Sequence, residues 1–368
     1  MASLPDALTR LVPIDEGAAE AAHGLQARLT KPEGSLGGVE ALGSQLAAIS
    51  GHVPPPIPRR AVVTIFAGDH GVLAEGVSPW PAEVTAQMVA NVLAGGAAIN
   101  AIAREVGAAV VTIDIGVATP VPGPVERLVK VNVRRGTADI AREAAMSRAE
   151  AHRAIQVGLS IADRLVDQGH DLLITGDMGI GNTTPSAAVI AAITGWPARS
   201  VTGRGTGISD EMLDVKVGVV ERALERAAEA HGLVPTGLAA LDADVILAEL
   251  GGLEIGGIAG LCIGGALRRV PVVLDGAISL AGALVASALA PVVAGYLVAG
   301  HRSIEPGATA ALEHIGLEPL LDMQIRLGEG TGACLALPIV RAAARVLHEM
   351  ATFESAGVSG ASEPTSSG

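Results

Sequence analysis

Aromatic side chains are nearly absent from this 368-residue chain, which has two Phe, two Trp and one Tyr. Any aromatic contact with a ligand must therefore come from Phe66, Trp80, Trp196, Tyr296 or Phe353. Cysteine is equally scarce. Cys262 and Cys334 cannot build a disulfide framework, and a reducing compartment fits. Positive charge is also in deficit, with 25 Lys plus Arg against 38 Asp plus Glu and a formal net charge of −13. That balance argues against a general nucleic-acid binder, whose phosphate partner demands a basic surface. Lysine occurs only as Lys31, Lys130 and Lys216. The N-terminus lacks a basic segment followed by an apolar one, so no secretory signal is expected and the cytoplasm is the expected location. Disorder is excluded for most of the chain, because 49% of residues are hydrophobic and only 17% charged.

Glycine is plentiful, at 47 residues, and it recurs in one rhythm. Apolar, β-branched runs end in glycine and an acid: AVVTIFAGDHG at 61–71, AVVTIDIG at 109–116, DLLITGDMGIG at 171–181 and PVVLDG at 271–276. Runs that are apolar throughout read as strands buried on both faces. Alanine-rich, helix-period segments lie between them, at 83–105, 147–168, 211–230 and 333–350. The alternation predicts βαβ units and a parallel sheet covered on both faces. Residues 276–300 carry no charge and are long enough to span a bilayer. Their Gly/Ala/Ser content, Pro291 and the preceding strand-like run instead predict a buried part of the α/β core, and no membrane association is expected.

Functional loops of parallel sheets sit beyond the carboxyl ends of the strands. Here those loops bring Asp69, Asp114, Asp177 and Asp275 to one edge, which suits a substrate or transition state with positive charge. Four further segments stand out. In GDMGIGNTTP (176–185), Gly179 and Gly181 permit close backbone approach, and Thr183 or Thr184 would cap the following helix. Amides at such a helix start suit phosphate, and a structural turn reads equally well. GRGTG (203–207) is a second glycine-rich turn, followed by Lys216, which reads either as a phosphate ligand or as a solvated helix-face residue. In GHRSIEPG (300–307), Ser303 could bond phosphate or ribose, while His301 and Glu305 read as a capping or structural pair. In RLGEGTGA (326–333), Glu329 sits between glycines before a helix, a position from which a carboxylate can approach a ligand closely. The fragment GDHG at 68–71 is similar to part of a metallophosphoesterase site. The nine histidines nevertheless form no ligand spacing, so no metal or other cofactor is expected. A dinucleotide dehydrogenase would need G-x-G-x-x-G after a strand, which is missing.

In order along the chain, KPEGSLGGVEALGSQLA (31–47), FAGDHGV (66–72), GVSPWPAEVTAQMV (76–89), GDMGIGNTTP, GRGTG, PVVLDGAIS (271–279), GHRSIEPG and RLGEGTGA closely resemble the nicotinate-nucleotide–dimethylbenzimidazole phosphoribosyltransferase family. The resemblance runs from about residue 20 to about 355. It implies a three-layer α/β/α domain with a mainly parallel, Rossmann-like sheet at 56–316. A small helical domain would come from 1–55 and 317–355. The Gly/Ser-rich tail at 356–368 reads as disordered. The resemblance further implies a homodimer and transfer of the phosphoribosyl group of nicotinate mononucleotide to 5,6-dimethylbenzimidazole or a related base. The transfer inverts C1′ and gives α-ribazole 5′-phosphate and nicotinate, the lower-ligand step of cobalamin assembly.

Carried over residue by residue, Glu329 is the general base. Asp177, where many family members have Glu, is a supporting carboxylate beside the cationic sugar centre. Gly179, Gly181, Gly205, Lys216 and Ser303 hold phosphate and ribose. Trp80, Met88, Met178 and Leu327 line the base pocket. Asp275, Glu254 and Asp69 are further candidates to face the site. Two other readings of the same fold stand beside this one: a non-catalytic nucleotide-binding protein, and a metal-dependent phosphohydrolase built on Asp69 and His70.

Overall fold

The structure, a computed structural model, describes residues 3–359. It contains one sheet of six parallel strands: β1 (Ala61–Gly68), β2 (Ala109–Gly116), β3 (Leu128–Lys130), β4 (Leu172–Met178), β5 (Val272–Leu274) and β6 (Leu297–Ala299). Their order is β3-β2-β1-β4-β5-β6, with helices on both faces. Every residue of β1 and β4 is buried, the polar Thr64, Thr175 and Asp177 included, whereas β2 is partly open at its start. The chain leaves β1 towards β2 and β3 on one side, then returns to start β4 on the other. That reversal opens a crevice at the carboxyl ends of β1 and β4.

Four of the expected strands appear where the apolar runs lie. The uncharged stretch 276–300 folds into the buried helix Ala277–Leu289, a 3-10 turn at Pro291–Tyr296 and β6. The expected helix at 83–105 is two helices, Glu83–Ala94 and Ala98–Val106, broken where Gly95 adopts φ 83°. Glycine has a packing use as well. The helices Arg148–Asp167 and Leu253–Leu267 cross so closely that a Cβ on Gly158 would lie 1.9 Å from the Gly257 carbonyl oxygen. A Cβ on Gly260 would lie equally close to that of Ile155.

The chain divides into two compact units, Met1–Pro13 with Arg59–Leu337, and Ile14–Pro58 with Pro338–Gly368. This corrects the expected boundaries at two places. The N-terminal segment belongs to the sheet unit because Leu4 and Ala7 are buried and the Tyr296 hydroxyl donates to the Val12 carbonyl at 3.0 Å. Residues 317–337 belong there too, and 317–330 form loop rather than helix. Leu320 N–H donates to Ala299 O at 2.9 Å, and Asp275 binds the amides of Gly330 and Ala333. The smaller unit is helical, with Ala22, Ala47 and Leu347 at its centre and Lys31 paired to Glu40 at 2.7 Å. Of the tail expected from 356, Ala356 ends the short helix Phe353–Ala356, and 360–368 lie outside the described residues.

Candidate active site

A cavity of about 590 Å³ lies within the sheet unit and is lined from the ends of β4 and β5 and the loops that follow. Eleven of the expected catalytic and binding residues line it, together with Thr183, His301 and Glu305. Glu329 and Asp177 are there with Gly179, Gly181, Gly205, Lys216 and Ser303, and so are Trp80, Met88, Met178 and Leu327.

Glu329 is only 2% exposed and sits at φ +61°, between Gly328 at +79° and Gly330 at +86°. Three consecutive left-handed residues explain the flanking glycines. A non-glycine residue held in this region costs about 1–3 kcal/mol and clusters at functional sites. The strain is held by contacts on both sides. Gly330 N–H donates to Asp275 Oδ2 at 3.2 Å, and a Cβ at Gly176 of β4 would lie 2.8 Å from Glu329 O. The carboxylate itself accepts from Ile99 N–H, in the first turn of Ala98–Val106, at 3.4 Å. Burial raises the Glu329 pKa above the ordinary carboxylate range, partly offset by that amide and reinforced by Asp275.

Asp177 pairs in register with Phe66 near the carboxyl end of β4. Its Oδ2 accepts from Asn182 Nδ2 at 2.8 Å, and among the described residues its Oδ1 has no hydrogen-bond partner. Burial first, then the neighbouring Asp275, Glu254 and Glu329 against the Asn182 bond, push its pKa up to about 8. Near pH 7 it is therefore mostly a neutral acid.

Next comes the glycine loop and the helix Thr183–Thr194. Neither Thr183 nor Thr184 caps this helix: its N-cap is Asn182, with no side-chain cap bond. In its first turn Thr184 N–H donates to Gly181 O at 3.0 Å and Ser186 N–H to Asn182 O at 3.1 Å, and Pro185 has no N–H. Thr183 Oγ1 instead accepts from Lys216 Nζ at 2.7 Å, and Lys216 donates also to Gly203 O at 3.0 Å. Lys216 is 1% exposed, which removes the solvated-face reading. Burial lowers its pKa to about 8, against the charge of Glu305.

The side lined by Trp80, Met88, Met178 and Leu327 is apolar and more open. Trp80 is 51% and Leu327 57% exposed, whereas Met178 is buried and Met88 half-buried. Among the described residues Trp80 is the one Phe, Tyr or Trp lining the cavity, while Phe66 and Tyr296 lie wholly in the core.

Three candidates do not line the cavity. Asp69 Oδ2 accepts from Ala118 N–H at 2.8 Å, which orders the loop after β1. Glu254 is fully buried against His70, with Nε2 to Oε1 3.1 Å. Burial alone would lower the His70 pKa, but Glu254 and Asp69 outweigh it and raise it. Asp275 supports the Glu329 turn from behind, with His301 Nε2 3.2 Å from its Oδ1. Among the described residues no three His, Cys, Asp or Glu side chains group as a metal site. Sequence reasoning passed over Asn182, Arg204 and Arg326, and gave Glu305 no functional role, though all four line the cavity. Each lies inside a motif already noted, but its partner is distant in sequence or hidden by the fold.

A phosphoribosyltransferase family model matches residues 11–358. The nicotinate-nucleotide–dimethylbenzimidazole phosphoribosyltransferase of Salinispora tropica is 53% identical over 360 residues, 94% of this chain and 96% of that protein. The protein of the same name from Chloroflexus aurantiacus is 52% identical over 352 residues, 96% of this chain and 97% of its own length. The crystal structure of the Thermus thermophilus protein of that name superposes with a TM-score of 0.87 at 46% identity, covering 95% of this chain and all of that one. With the fold, the near-complete coverage and the converged motifs in agreement, the chain belongs to the nicotinate-nucleotide–dimethylbenzimidazole phosphoribosyltransferase family.

Proposed function

We propose that the protein transfers the phosphoribosyl group of nicotinate mononucleotide to 5,6-dimethylbenzimidazole, with inversion at C1′, in the lower-ligand branch of cobalamin assembly. The observation that carries this reading is the shared cavity. A buried carboxylate on a strained Gly-Glu-Gly turn and a buried lysine beside an uncapped helix end line the same 590 Å³ space.

In this reading one benzimidazole nitrogen attacks C1′. The bond from C1′ to the nicotinate ring breaks, and its electron pair leaves with nicotinate. The other benzimidazole nitrogen loses its proton to Glu329, whose raised pKa brings it nearer the operating pH, where a general base works best. Gly179, Gly181, Gly205, Lys216 and Ser303 hold phosphate and ribose. Trp80, Met88, Met178 and Leu327 hold the base. Methionines adapt to shape, which leaves room for related bases. Asp177, neutral near pH 7, donates from its unpartnered oxygen to the substrate. Asp275 and Glu254 act from behind this surface.

The reading includes a homodimer working in the cytoplasm. The phosphohydrolase alternative is disfavoured because Asp69 and His70 are engaged by Ala118 and Glu254. Incubation with nicotinate mononucleotide and a panel of bases, with products read by mass, tests the proposal. A phosphoribosyl adduct with an equal amount of free nicotinate is expected. Release of inorganic phosphate, or binding without turnover, would overturn it in favour of the hydrolase or the non-catalytic reading.

A further inference from the structure

Glu305 is an anomaly in the cavity. It is a 7% exposed carboxylate lining the region where the preceding section places a phosphate. Its charge opposes an anion, and neither local reading of it survives. His301 is engaged with Asp275 rather than Glu305. Glu305 is the N-cap residue of the helix Pro306–Ile315, yet its side chain makes no cap bond there. It reaches across about a hundred residues of sequence instead, and Oε1 accepts from Gly205 N–H at 2.8 Å. Its own N–H donates to Ser303 Oγ at 3.3 Å. Its Oε2 lies where a Cβ on Gly203 would come within 2.1 Å, so residue 203 has to be glycine for the carboxylate to fit.

The turn it grips is held from the other side as well. Gly205 is at φ +52°, and its carbonyl accepts from Arg326 Nη1 at 2.7 Å. We infer that Glu305 is the positioning residue of the phosphate-holding half of the cavity, fixing the Gly203–Gly207 turn and setting a carboxylate against the same turn that Lys216 bonds. This rests on the phosphoribosyl reading of that half.

The electrostatics support it. Burial depresses the Lys216 pKa, and Glu305 is the charge that opposes the depression. The other groups facing Lys216 are the Thr183 hydroxyl and the Gly203 carbonyl. Of the remaining charged residues lining the cavity, Arg204 is paired to Asp210, Arg326 holds Gly205, and Asp177 and Glu329 complete the set. A phosphate arriving here meets an ammonium whose charge has already been secured. The cost of the buried acid is offset before the ligand binds.

The test is calorimetric binding of nicotinate mononucleotide to the full chain between pH 7 and 9.5, for wild type, Glu305→Gln, Glu305→Asp and Lys216→Met. Wild-type affinity is expected to fall as pH rises through about 8, where Lys216 loses its proton and Asp177 ionises in the same cavity; the part of the limb that disappears in Lys216→Met belongs to Lys216. Gln keeps an acceptor for Gly205 but removes the charge. Its limb should move down by about one pH unit, weakening binding roughly fivefold at pH 8. Asp keeps the charge but withdraws the acceptor by one methylene. It should weaken binding several-fold at every pH with the limb in place. A Gln curve that superposes on wild type, or one displaced uniformly without a moved limb, overturns the inference. If Gln shows no melting transition, Asp decides, and wild-type affinity in that variant overturns it. Unchanged affinity in Lys216→Met would instead refute the phosphate reading itself, a failure distinct from that of Glu305.

Discussion

Replacing Asp177 with Asn should make the protein more stable at neutral pH. Folding holds the Asp177 carboxyl at a pKa of about 8, against 3.8 ordinarily. Between those values the native state keeps a proton that the unfolded chain releases. Stability therefore falls as pH rises from about 4 to about 8 and levels off above. At pH 7 the penalty is about 3 pH units at 1.36 kcal/mol each, or about 4 kcal/mol. Asn removes it. Its oxygen can still accept from Asn182, where Asp177 Oδ2 now sits at 2.8 Å. Its amide nitrogen takes the place of Oδ1, which has no partner. A buried amide left unpaired costs about 1–3 kcal/mol, so the net gain is about 1–3 kcal/mol. In the sheet unit, Met1–Pro13 with Arg59–Leu337, the usual unfolding entropy per residue turns that into roughly 2–5 °C. Thermal melts of both proteins from pH 5 to 9 read it directly, and the variant's advantage should grow up to about pH 8. A variant less stable than wild type at pH 7, or an advantage that does not change with pH, would refute the reasoning. Turnover should fall in the same variant, the usual exchange of function for stability at a strained site.

Two other substitutions test the nucleotide half of the cavity. Lys216→Ala should raise the KM for nicotinate mononucleotide by tenfold or more, the order expected for a hydrogen bond to a charged group, with the KM for the base unchanged. Steady-state kinetics with each substrate varied decide it, and an equal effect on both would count against a phosphate role. Gly179→Ala would place a Cβ 2.3 Å from the Gly68 carbonyl oxygen and 3.2 Å from His70 Nε2. Since β1 cannot yield without disturbing its buried neighbours, the loop should shift and nucleotide affinity fall at least tenfold. Wild-type binding in a well-folded variant would remove that loop from the site.

The fold was legible where the physics is local. The runs of β1, β2, β4 and β5 are dominated by β-branched and other apolar residues, and the helices Arg148–Asp167 and Asp210–Ala230 lie within a residue or two of their expected segments. The three-residue strands β3 and β6 escaped notice, since three residues carry no periodicity and β6 lies inside a run of uniformly apolar sequence. The unit boundaries were misplaced because they depend on distant pairings, such as Tyr296 with Val12 and Asp275 with Ala333. The same distinction runs through the site. Glu329 announces itself by its flanking glycines, and their left-handed backbone is what the structure holds. The Glu305 grip on Gly205 and the Arg326 bond to the same residue join segments about a hundred residues apart, and no local pattern marks such a pair. Nor does sequence reveal that Asp177 is neutral at pH 7, because its pKa is set by burial and by acids from three other segments.

The central claim is that Glu329 accepts the proton of the incoming base, and Glu329→Gln tests it most directly. Gln has the same length and the same backbone preferences at φ +61°, and its oxygen can still accept from Ile99 N–H. Single-turnover and steady-state rates with nicotinate mononucleotide and 5,6-dimethylbenzimidazole should fall by about 10²-fold or more, with base affinity within a few-fold of wild type. The wild-type rate should show an acidic limb above the ordinary carboxylate range, because burial raises the Glu329 pKa, and that limb should disappear from the residual activity. A variant that turns over at near-normal rate with that limb intact would contradict the account.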